Sequence, residues 1–234
     1  MFQVFIKTFC IILGLFSFEM GVASETPSSL SVNTLIEGKH YQRLPADITA
    51  HQNIQDLMAE SPNRIQVIEF FNYGCFWCGR LHPVLEEWSK TKPESTVFYR
   101  FPLAFNKKWE VLAKAFYVKQ ALGNTTIPDA QFFKAIHENH VDLSDEKLLQ
   151  GFFVEQGVSQ KTFQDLFRSF NISNAVAKAN NIANAYRISA SPVVIINGPS
   201  GSYLLSAKMV GSEQALVTVI DQLVSRESKK LAGS

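Results

Sequence analysis

The sequence predicts an α/β fold that is interrupted by a long helical insertion. Residues 64–71 form a nearly unbroken apolar run rich in Ile, Val and Phe, which is typical of a strand buried on both faces. Residues 75–88 follow it with helical periodicity, and a strand buried on both faces requires helices on both sides of its sheet. Residues 106–187 then show one helical pattern after another and no strand-like run, which indicates an inserted helical domain.

Composition places the chain among packed globular proteins. It has 234 residues, of which 46% are hydrophobic and 18% are charged. The 22 basic residues nearly balance the 21 acidic ones, so charge gives no reason to expect nucleic acid or an anionic membrane as a partner.

The N-terminus has the pattern of a secretory signal peptide at residues 1–23. Lys7 precedes a short apolar run at residues 9–18, and small residues ending at Ala23 precede a polar stretch. An uncleaved anchor is the alternative, but the apolar run is short for a membrane span. We therefore expect cleavage near Ala23 and export to a compartment where disulfides persist, such as a bacterial periplasm.

Two of the three cysteines form a C-x-x-C motif. Cys10 lies in the apolar run of the signal, so the mature chain would retain only Cys75 and Cys78. An exported chain with one such pair has no thiols to spare for a structural disulfide framework, which favours a redox-active pair. Half of a zinc site is the alternative; two more ligands are needed, no cysteine remains and the histidines are scattered, so no metal is expected.

The α/β domain is predicted in two parts, residues 37–105 and 188–226. A flexible leader is expected before it at residues 24–36 and a frayed basic tail after it at residues 227–234. The secondary structure expected in the two parts is a short strand in 38–44, a helix or loop in 47–60, strands at 64–71 and 96–103, a helix at 75–88 kinked by Pro83, a hairpin of 191–196 with 203–206, and a helix at 211–225.

The insertion, residues 106–187, is predicted to contain five helices. Their expected starts are near Asn106, Pro128, Ser144, Ser159 and Asn174. The phenylalanines and Trp109 of this segment recur at helical spacing, so we expect them to pack in its core.

The position of the cysteines predicts different roles for them. Cys75 stands at a helix start, where unpaired backbone N–H groups and the helix dipole favour the thiolate that disulfide exchange requires. Cys78 lies one turn further in, so we expect it to be more buried and to act as the resolving thiol.

Glu69 is a carboxylate within an otherwise apolar strand. An edge position that points to water is one interpretation, because glutamate is rarely fully buried. The functional interpretation is that a buried Glu69 accepts or returns the proton of Cys78 during exchange. Arg100, on the next expected strand, is then available to pair with it. His82, beside Pro83, is expected on the helix surface.

Two further features are expected near the cysteine pair. Pro192 precedes a strand; a trans proline there marks an edge, whereas a cis bond would place the backbone of Ser191 against the cysteines and offer a strand edge to an extended substrate.

Aromatic residues near a helix start usually belong to the core. Phe76 and Trp77, with Tyr73, are instead expected to form an exposed apolar patch for substrate docking, because Cys75 must be reached.

Taken together, these features resemble the thioredoxin-fold oxidoreductases of the DsbA type. The resemblance is carried by Glu69-Phe-Phe-Asn-Tyr-Gly-Cys75-Phe-Trp-Cys78, by Pro83, by the helical insertion and by Ser191-Pro192-Val-Val-Ile-Ile-Asn-Gly198, and it covers roughly residues 35–225. It implies a thioredoxin-like fold with an inserted all-helical domain, a cis bond before Pro192, a buried acid at Glu69 and a basic partner at Arg100.

The same resemblance implies an activity and partners. Such proteins donate disulfides to unfolded or reduced exported proteins, work with the Cys75–Cys78 disulfide and no other cofactor, and are reoxidised by a quinone-linked membrane protein. Two positions depart from the family. Phe76-Trp77 replaces a Pro-His pair whose histidine helps to hold the thiolate, and Ser191 replaces valine or threonine. We expect a potential between about −270 mV, as in thioredoxin, and about −120 mV, as in DsbA, nearer the latter.

The leading functional hypothesis is therefore an exported thiol:disulfide oxidase. The alternatives are an isomerase or reductase of the same fold, which would use reduced Cys75 as the attacking thiol, and a chaperone-like module that binds clients through its apolar patch. Both a monomer and a homodimer remain open, with residues 24–36 as a weak candidate for a dimerisation arm.

Overall fold

A computed structural model describes residues 35–123 and 127–233 of the chain. The predicted signal peptide at residues 1–23, Cys10 and nearly all of the predicted leader lie outside the described residues. The described part contains a five-stranded sheet in the order β1-β5-β4-β2-β3, in which β2 and β3 are parallel and the other pairs are antiparallel. Its strands are β1 Gln42–Arg43, β2 Ile65–Phe71, β3 Thr96–Pro102, β4 Val193–Gly198 and β5 Gly201–Leu205.

Helices cover both faces of this sheet and form the insertion. The helices are α1 Ala46–Thr49, α2 Gln52–Ala59, α3 Phe76–Thr91, α4 Lys107–Ala121, α5 Asp129–His137, α6 Glu146–Glu155, α7 Gln160–Phe167, α8 Phe170–Ala185, α9 Ala207–Val210 and α10 Glu213–Ala232. Within the described residues, none of them is long and apolar enough to cross a membrane.

Strand β2 is buried along its whole length, as its unbroken apolar run predicts. Its residues alternate between two cores because successive side chains of a strand point to opposite faces. Val67 packs with residues of α3 and α10 on one face. Ile68 and Phe70 pack with residues of α2 and α8 on the other.

The insertion, helices α4–α8, follows β3 and ends before β4, as expected from its helical pattern. Its core is built from phenylalanines, among them Phe116, Phe132 and Phe153, and the same apolar cluster includes Cys75 and Cys78. The insertion therefore packs directly against the C-x-x-C segment. The expectation that all its phenylalanines are buried is wrong for Phe170, which is 81% exposed at the start of α8.

Several boundaries differ from the sequence expectations. β1 has only two residues, and the turn between β4 and β5 is reduced to Pro199 and Ser200. Helix α10 runs on to Ala232, so the expected frayed tail is helical instead. The cause is Glu227, which is fully buried and accepts hydrogen bonds from the Ser200 N–H (2.8 Å) and the Tyr203 hydroxyl (2.9 Å). These bonds dock the end of α10 on the hairpin.

Candidate active site

The loop that joins β2 to α3 is fixed by the side chain of Asn72. Its amide group donates to the carbonyls of Leu103 (2.7 Å) and Trp109 (3.1 Å), while its Oδ1 accepts from the Gly74 N–H (2.8 Å). A Cβ at Gly74 would lie 3.1 Å from Leu112, which favours glycine at this close approach. The loop therefore delivers Cys75 to the start of α3 in a defined position.

Cys75 is the N-cap residue of α3, and its sulfur accepts from the Cys78 N–H at 3.3 Å. The sulfur lies 3.7 Å from the Ser191 carbonyl oxygen. Hydrogen bonding from the Cys78 thiol, then from the Ser191 side chain and from the N–H groups of Cys78 and Trp77, outweighs burial and lowers the pKa of Cys75 to about 6. Cys75 is therefore largely a thiolate at neutral pH.

Cys78 has the opposite character, although it lies only one helical turn away. It is fully buried, and burial raises its pKa, with further contributions from the Cys75 thiol and the negative charge of Glu69. No disulfide joins the two cysteines in this structure, so these pKa shifts describe the reduced pair. The pair thus consists of one ready thiolate and one thiol that retains its proton.

Glu69 and Arg100 are neighbours in the parallel ladder of β2 and β3. The Arg100 Nε donates to Glu69 Oε2 at 2.6 Å, and the guanidinium also lies 4.0 Å from the ring centre of Phe71. Glu69 is fully buried, and its second oxygen, Oε1, has no hydrogen-bond partner among the described residues.

A second carboxylate, Asp129 at the first position of α5, contacts the same guanidinium through Arg100 Nη1. Asp129 also accepts from Lys119 Nζ at 2.6 Å and from the Tyr73 hydroxyl. Burial disfavours the charge on Asp129, but Arg100 and Lys119 outweigh it and lower the pKa of the carboxyl. Burial likewise opposes the charge on Arg100, yet Glu69 and Asp129 raise its pKa, so both charges are permanent.

The peptide bond between Ser191 and Pro192 is cis, and it borders a groove of about 540 Å³ beside Cys75. Trp77 lines this groove and is 59% exposed, while its neighbour Phe76 is 55% exposed. Arg80 and Glu213 line the same groove and form an ion pair at 3.3 Å. The site therefore combines a reactive thiolate with an apolar, peptide-sized recess.

Comparison with known proteins identifies this arrangement. Residues 97–217 match the family model described as a DSBA-like thioredoxin domain. The thiol:disulfide interchange protein DsbA of Bordetella parapertussis is 32% identical over 172 residues, which cover 73% of this chain and 80% of that protein. The chain belongs to the DsbA family. The DsbA of Azotobacter vinelandii is 29% identical over 217 residues, covering 93% of this chain and 94% of its own.

Solved DsbA structures have the same fold. The crystal structure of a single-substitution variant of Pseudomonas aeruginosa DsbA aligns with a TM-score of 0.72 at 26% identity, covering 84% of this chain and all of that one. The crystal structure of Pseudomonas aeruginosa DsbA aligns with a TM-score of 0.71, also at 26% identity, covering 84% of this chain and 96% of that one. The thioredoxin-like fold with a helical insertion is confirmed, and the DsbA-like chain is a thiol:disulfide oxidoreductase that introduces disulfide bonds.

The structure brings together the residues that the sequence singled out. Glu69 is paired with Arg100, and Ser191 contacts Cys75 through a cis-proline segment. Phe76 and Trp77 are exposed, whereas Tyr73 is 1% exposed, so its predicted place in the patch is wrong. Tyr73 instead stacks on Phe132, with ring centres 4.5 Å apart.

The expectation that His82 lies on the helix surface is also wrong. It is 6% exposed, because helix α5 packs against α3 at this turn and the His82 ring contacts that of Phe133. Burial, followed by the positive charge of Arg100, lowers the pKa of His82. The ring is therefore neutral at physiological pH.

Four residues of this site escaped the sequence reasoning: Asn72, Lys119, Asp129 and His137. Asp129 follows a proline at a helix start, where an acidic residue is common because it interacts favourably with the helix dipole. The sequence around Asp129 therefore does not predict its contact with Arg100 on β3. His137 ends α5 and bonds the Tyr73 carbonyl through Nε2 at 2.8 Å. Only the position of Asn72, three residues before an N-cap cysteine, hinted at a turn-forming side chain.

Proposed function

We propose that the Cys75–Cys78 disulfide is the oxidising group that this protein passes to reduced, exported client proteins. The observation that carries the proposal is the contrast between the two thiols. The pKa of Cys75 is lowered to about 6, so it is a good leaving group, whereas burial raises the pKa of Cys78. A disulfide donor needs this contrast for two reasons. Cys75 must be the leaving group when the client forms its own disulfide, and the reduced form of the protein must be stabilised relative to its disulfide form.

The reaction has two exchanges. A client thiolate attacks the sulfur of Cys75, the Cys75–Cys78 bond breaks, and Cys78 leaves with the electron pair and takes up a proton. The client's second thiolate then attacks the client sulfur of the mixed disulfide, and Cys75 leaves as the thiolate. The client loses two electrons and gains a disulfide, while the protein gains two electrons and becomes the dithiol.

Glu69 supplies the proton that Cys78 takes up, and receives it back on reoxidation. Its free oxygen Oε1 and the effect of its charge on Cys78 support this role. Arg100 compensates the buried carboxylate when it is ionised. Neither side chain needs to contact the client for this role.

The client-binding surface consists of the cis-proline segment, Ser191 and Pro192, and the exposed aromatic residues Phe76 and Trp77. The groove beside Ser191 and Pro192 is suited to an extended peptide, and Trp77 offers an apolar face at its edge. An unfolded client exposes the extended backbone and apolar side chains that this surface can bind. Phe76 adds a second exposed ring on the same turn of α3.

The place of action that fits this chemistry is the bacterial periplasm. The signal-like pattern of residues 1–23 and the curated DsbA relatives support export. The dithiol product must be reoxidised for a second turnover, and a quinone-linked membrane oxidase is the partner that the family resemblance implies. The Cys75–Cys78 disulfide is the redox group, and the proposal requires no other cofactor.

Single-cysteine variants test the assignment of the two thiols. We expect Cys78→Ser that carries glutathione on Cys75, loaded with glutathione disulfide as the oxidant, to exchange that glutathione for a reduced peptide with a single thiol, and so to hold the peptide on Cys75 in a mixed disulfide visible by mass spectrometry. Cys75→Ser treated in the same way should hold none. Oxidation of a peptide with two thiols by the disulfide form should require both Cys75 and Cys78. Trapping on Cys78 in Cys75→Ser, or peptide oxidation that persists without Cys75, would contradict the proposal and favour a binding module.

A further inference from the structure

Arg100 is shared between two carboxylates that belong to different parts of the molecule. Its Nε contacts Glu69 on β2 at 2.6 Å, and its Nη1 contacts Asp129 on α5. The third nitrogen, Nη2, is buried and has no hydrogen-bond partner among the described residues. Strand β2, through Glu69, and the helical insertion, through Asp129, therefore share one cation.

Asp129 is in turn held by a cation of the insertion. Lys119 on α4 places its Nζ 2.6 Å from Asp129, and its side chain is only 5% exposed, against 10% for Asp129 and 14% for Arg100. Two cations and two carboxylates thus form one mostly buried cluster whose formal charges cancel. Removing the charge of either insertion residue leaves a net charge beside Glu69, where low polarity screens it weakly.

We propose that Asp129 and Lys119 are positioning residues that divide the charge of Arg100 between Glu69 and the insertion, and so set the pH at which Cys78 exchanges its proton. This inference rests on the proposed proton exchange between Glu69 and Cys78. In the described part of the chain, the hydrogen bonds of the Cys75 sulfur are with Ser191 and Cys78 and involve neither positioning residue. Both act through Arg100. The guanidinium stabilises the negative charge of Glu69 more strongly when its interaction with Asp129 is weaker.

The step concerned is the resolution of a mixed disulfide during oxidation of the dithiol form. With glutathione disulfide as oxidant, the Cys75 thiolate first attacks one sulfur of that disulfide; its S–S bond breaks, one glutathione leaves as a thiolate, and the other remains bonded to Cys75 in a mixed disulfide. Cys78 then transfers its proton to Glu69 and attacks the Cys75 sulfur; the bond to glutathione breaks, and glutathione leaves as a thiolate with the electron pair. Acceptance of the proton is the part of this step that the buried charges govern.

Two charge-removing variants should move this step in opposite directions. Asp129→Asn leaves Arg100 to Glu69 alone and leaves Lys119 unpaired, so the added positive charge should shift the pH midpoint of resolution down by about 0.5–1 unit. Lys119→Met leaves Asp129 to draw on Arg100 more strongly, so the midpoint should rise by a similar amount. The double variant should return close to the original midpoint because both charges are gone.

The measurement is the decay of the glutathione mixed disulfide against pH. Reduced protein is mixed with excess glutathione disulfide, quenched in acid at set times and analysed by mass spectrometry. The remaining titratable groups around the cluster, Tyr73, His82, Glu86 and Tyr117, are the same in all the charge-removing variants, and Cys75 does not titrate while it is bonded to glutathione. Burial lowers the pKa of His82 and raises that of Tyr117, so both rings stay neutral over the pH range used.

Three controls separate charge from packing. Lys119→Arg keeps the cation, and Tyr73→Phe removes a hydrogen bond to Asp129 but no charge, so both should keep the midpoint within about 0.2 units. Asp142→Asn removes a carboxylate that pairs with Lys108 on the surface of the same insertion, and it should leave the profile unchanged. Thermal unfolding of each reduced variant confirms that the compared proteins are folded.

Opposite shifts in Asp129→Asn and Lys119→Met would support the inference. Shifts of the same sign, or none, would overturn it, since a purely structural role predicts similar losses in both. Glu69→Gln separates it from the proton exchange on which it rests. An unchanged profile in Glu69→Gln overturns that exchange and the inference with it, whereas a changed profile there with none in the charge variants overturns the inference alone.

Discussion

The two sides of the first turn of α3 present opposite environments to the two cysteines. Around Cys75 the stabilising groups are neutral: the thiol and N–H of Cys78, Ser191 and the N–H of Trp77. Behind Cys78 lies a cluster of ionised side chains, with Arg100 between Glu69 and Asp129. The front, around Cys75, carries the exposed aromatic surface that we propose binds clients, and the back, behind Cys78, holds the mostly buried cluster of charged side chains.

This difference shows that one fold tunes its two thiols by separate physical means. Neutral donors bring the pKa of Cys75 to about 6, between the values of about 3.5 and 7 that are typical of DsbA and thioredoxin. No cation stands between the cysteines, because Phe76 and Trp77 occupy both positions. We therefore expect a reduction potential inside the interval between those two proteins, and equilibrium with glutathione would measure it.

Removing the central cation at the back should have the largest effect on stability. Arg100→Met leaves the carboxylates of Glu69 and Asp129 buried without their shared partner, which typically costs about 3–5 kcal/mol. Urea unfolding of the reduced protein at pH 7 measures the loss. Arg168→Met is the matched control; its ion pair with Glu146 is largely exposed, so it should cost less than about 1 kcal/mol. Equal losses in the two variants would show that the buried cluster contributes no more than a surface pair.

The lowered pKa of Cys75 should make the stability of the reduced protein depend on pH. The pKa of Cys75 is about 6 in the folded dithiol against an ordinary value of 9.0, so its ionisation stabilises the reduced fold. For a depressed pKa this contribution grows as pH rises and is lost as pH falls through about 6. Between pH 6 and 8, where Cys78 keeps its proton both folded and unfolded, the reduced form should gain stability over the oxidised form.

Unfolding of both redox forms in urea at several pH values within that window tests this expectation. The same thiolate should appear as ultraviolet absorbance with a midpoint near pH 6 in the reduced protein. A stability difference that does not change with pH would mean that Cys75 is not selectively ionised in the folded state.

Ser191 offers a finer test of the front alone. Its hydrogen bond to Cys75 is one of the contributions that lower the thiol's pKa. Ser191→Val removes the hydroxyl and should raise the absorbance midpoint by up to about 1 pH unit, while Ser191→Thr keeps the hydroxyl and should change it little. Neither variant touches the charges behind Cys78. Equal midpoints in the valine and threonine variants would assign the low pKa to the Cys78 thiol and the backbone N–H groups instead.

The sequence predicts the front far better than the back. A C-x-x-C after a buried strand and a proline before a late one are local patterns, and each locates its residues without knowledge of distant contacts. Of the back, the sequence identifies only the pair on the sheet. Glu69 is informative because a carboxylate within an apolar strand is costly. Its partner Arg100 could be predicted because residues on neighbouring strands of a sheet lie side by side.

The back depends on contacts that no local pattern encodes. Asp129 is 29 residues from Arg100 along the chain, and Lys119 occupies an ordinary position in an amphipathic helix. The burial of His82 likewise follows from the packing of α5 against α3 rather than from its neighbours in sequence. Helix periodicity fixes which residues face inwards, but the angle at which the insertion meets the sheet decides which of them meet each other.

The smallest effect on stability is expected from Trp77, and it separates client binding from redox tuning. Trp77 is 59% exposed, so Trp77→Ala should change the free energy of unfolding by about 0.5 kcal/mol or less. A ring at the edge of the groove can still dominate binding, and we expect oxidation of a reduced peptide to slow about tenfold. Reaction with glutathione, a tripeptide with no apolar side chain to pack on the Trp77 ring, should change by less than about twofold.

Phe170→Ala is the matched control for Trp77→Ala, because Phe170 is 81% exposed but lies at the start of α8 in the insertion. It should alter neither reaction. If Trp77→Ala slowed the peptide and glutathione reactions equally, the ring would act on the sulfur chemistry rather than on the client. A slowing of the peptide reaction in both variants would instead mean that any exposed aromatic side chain contributes to capture. Only selective loss in Trp77→Ala makes the groove beside the cis-proline segment the place where clients are recognised.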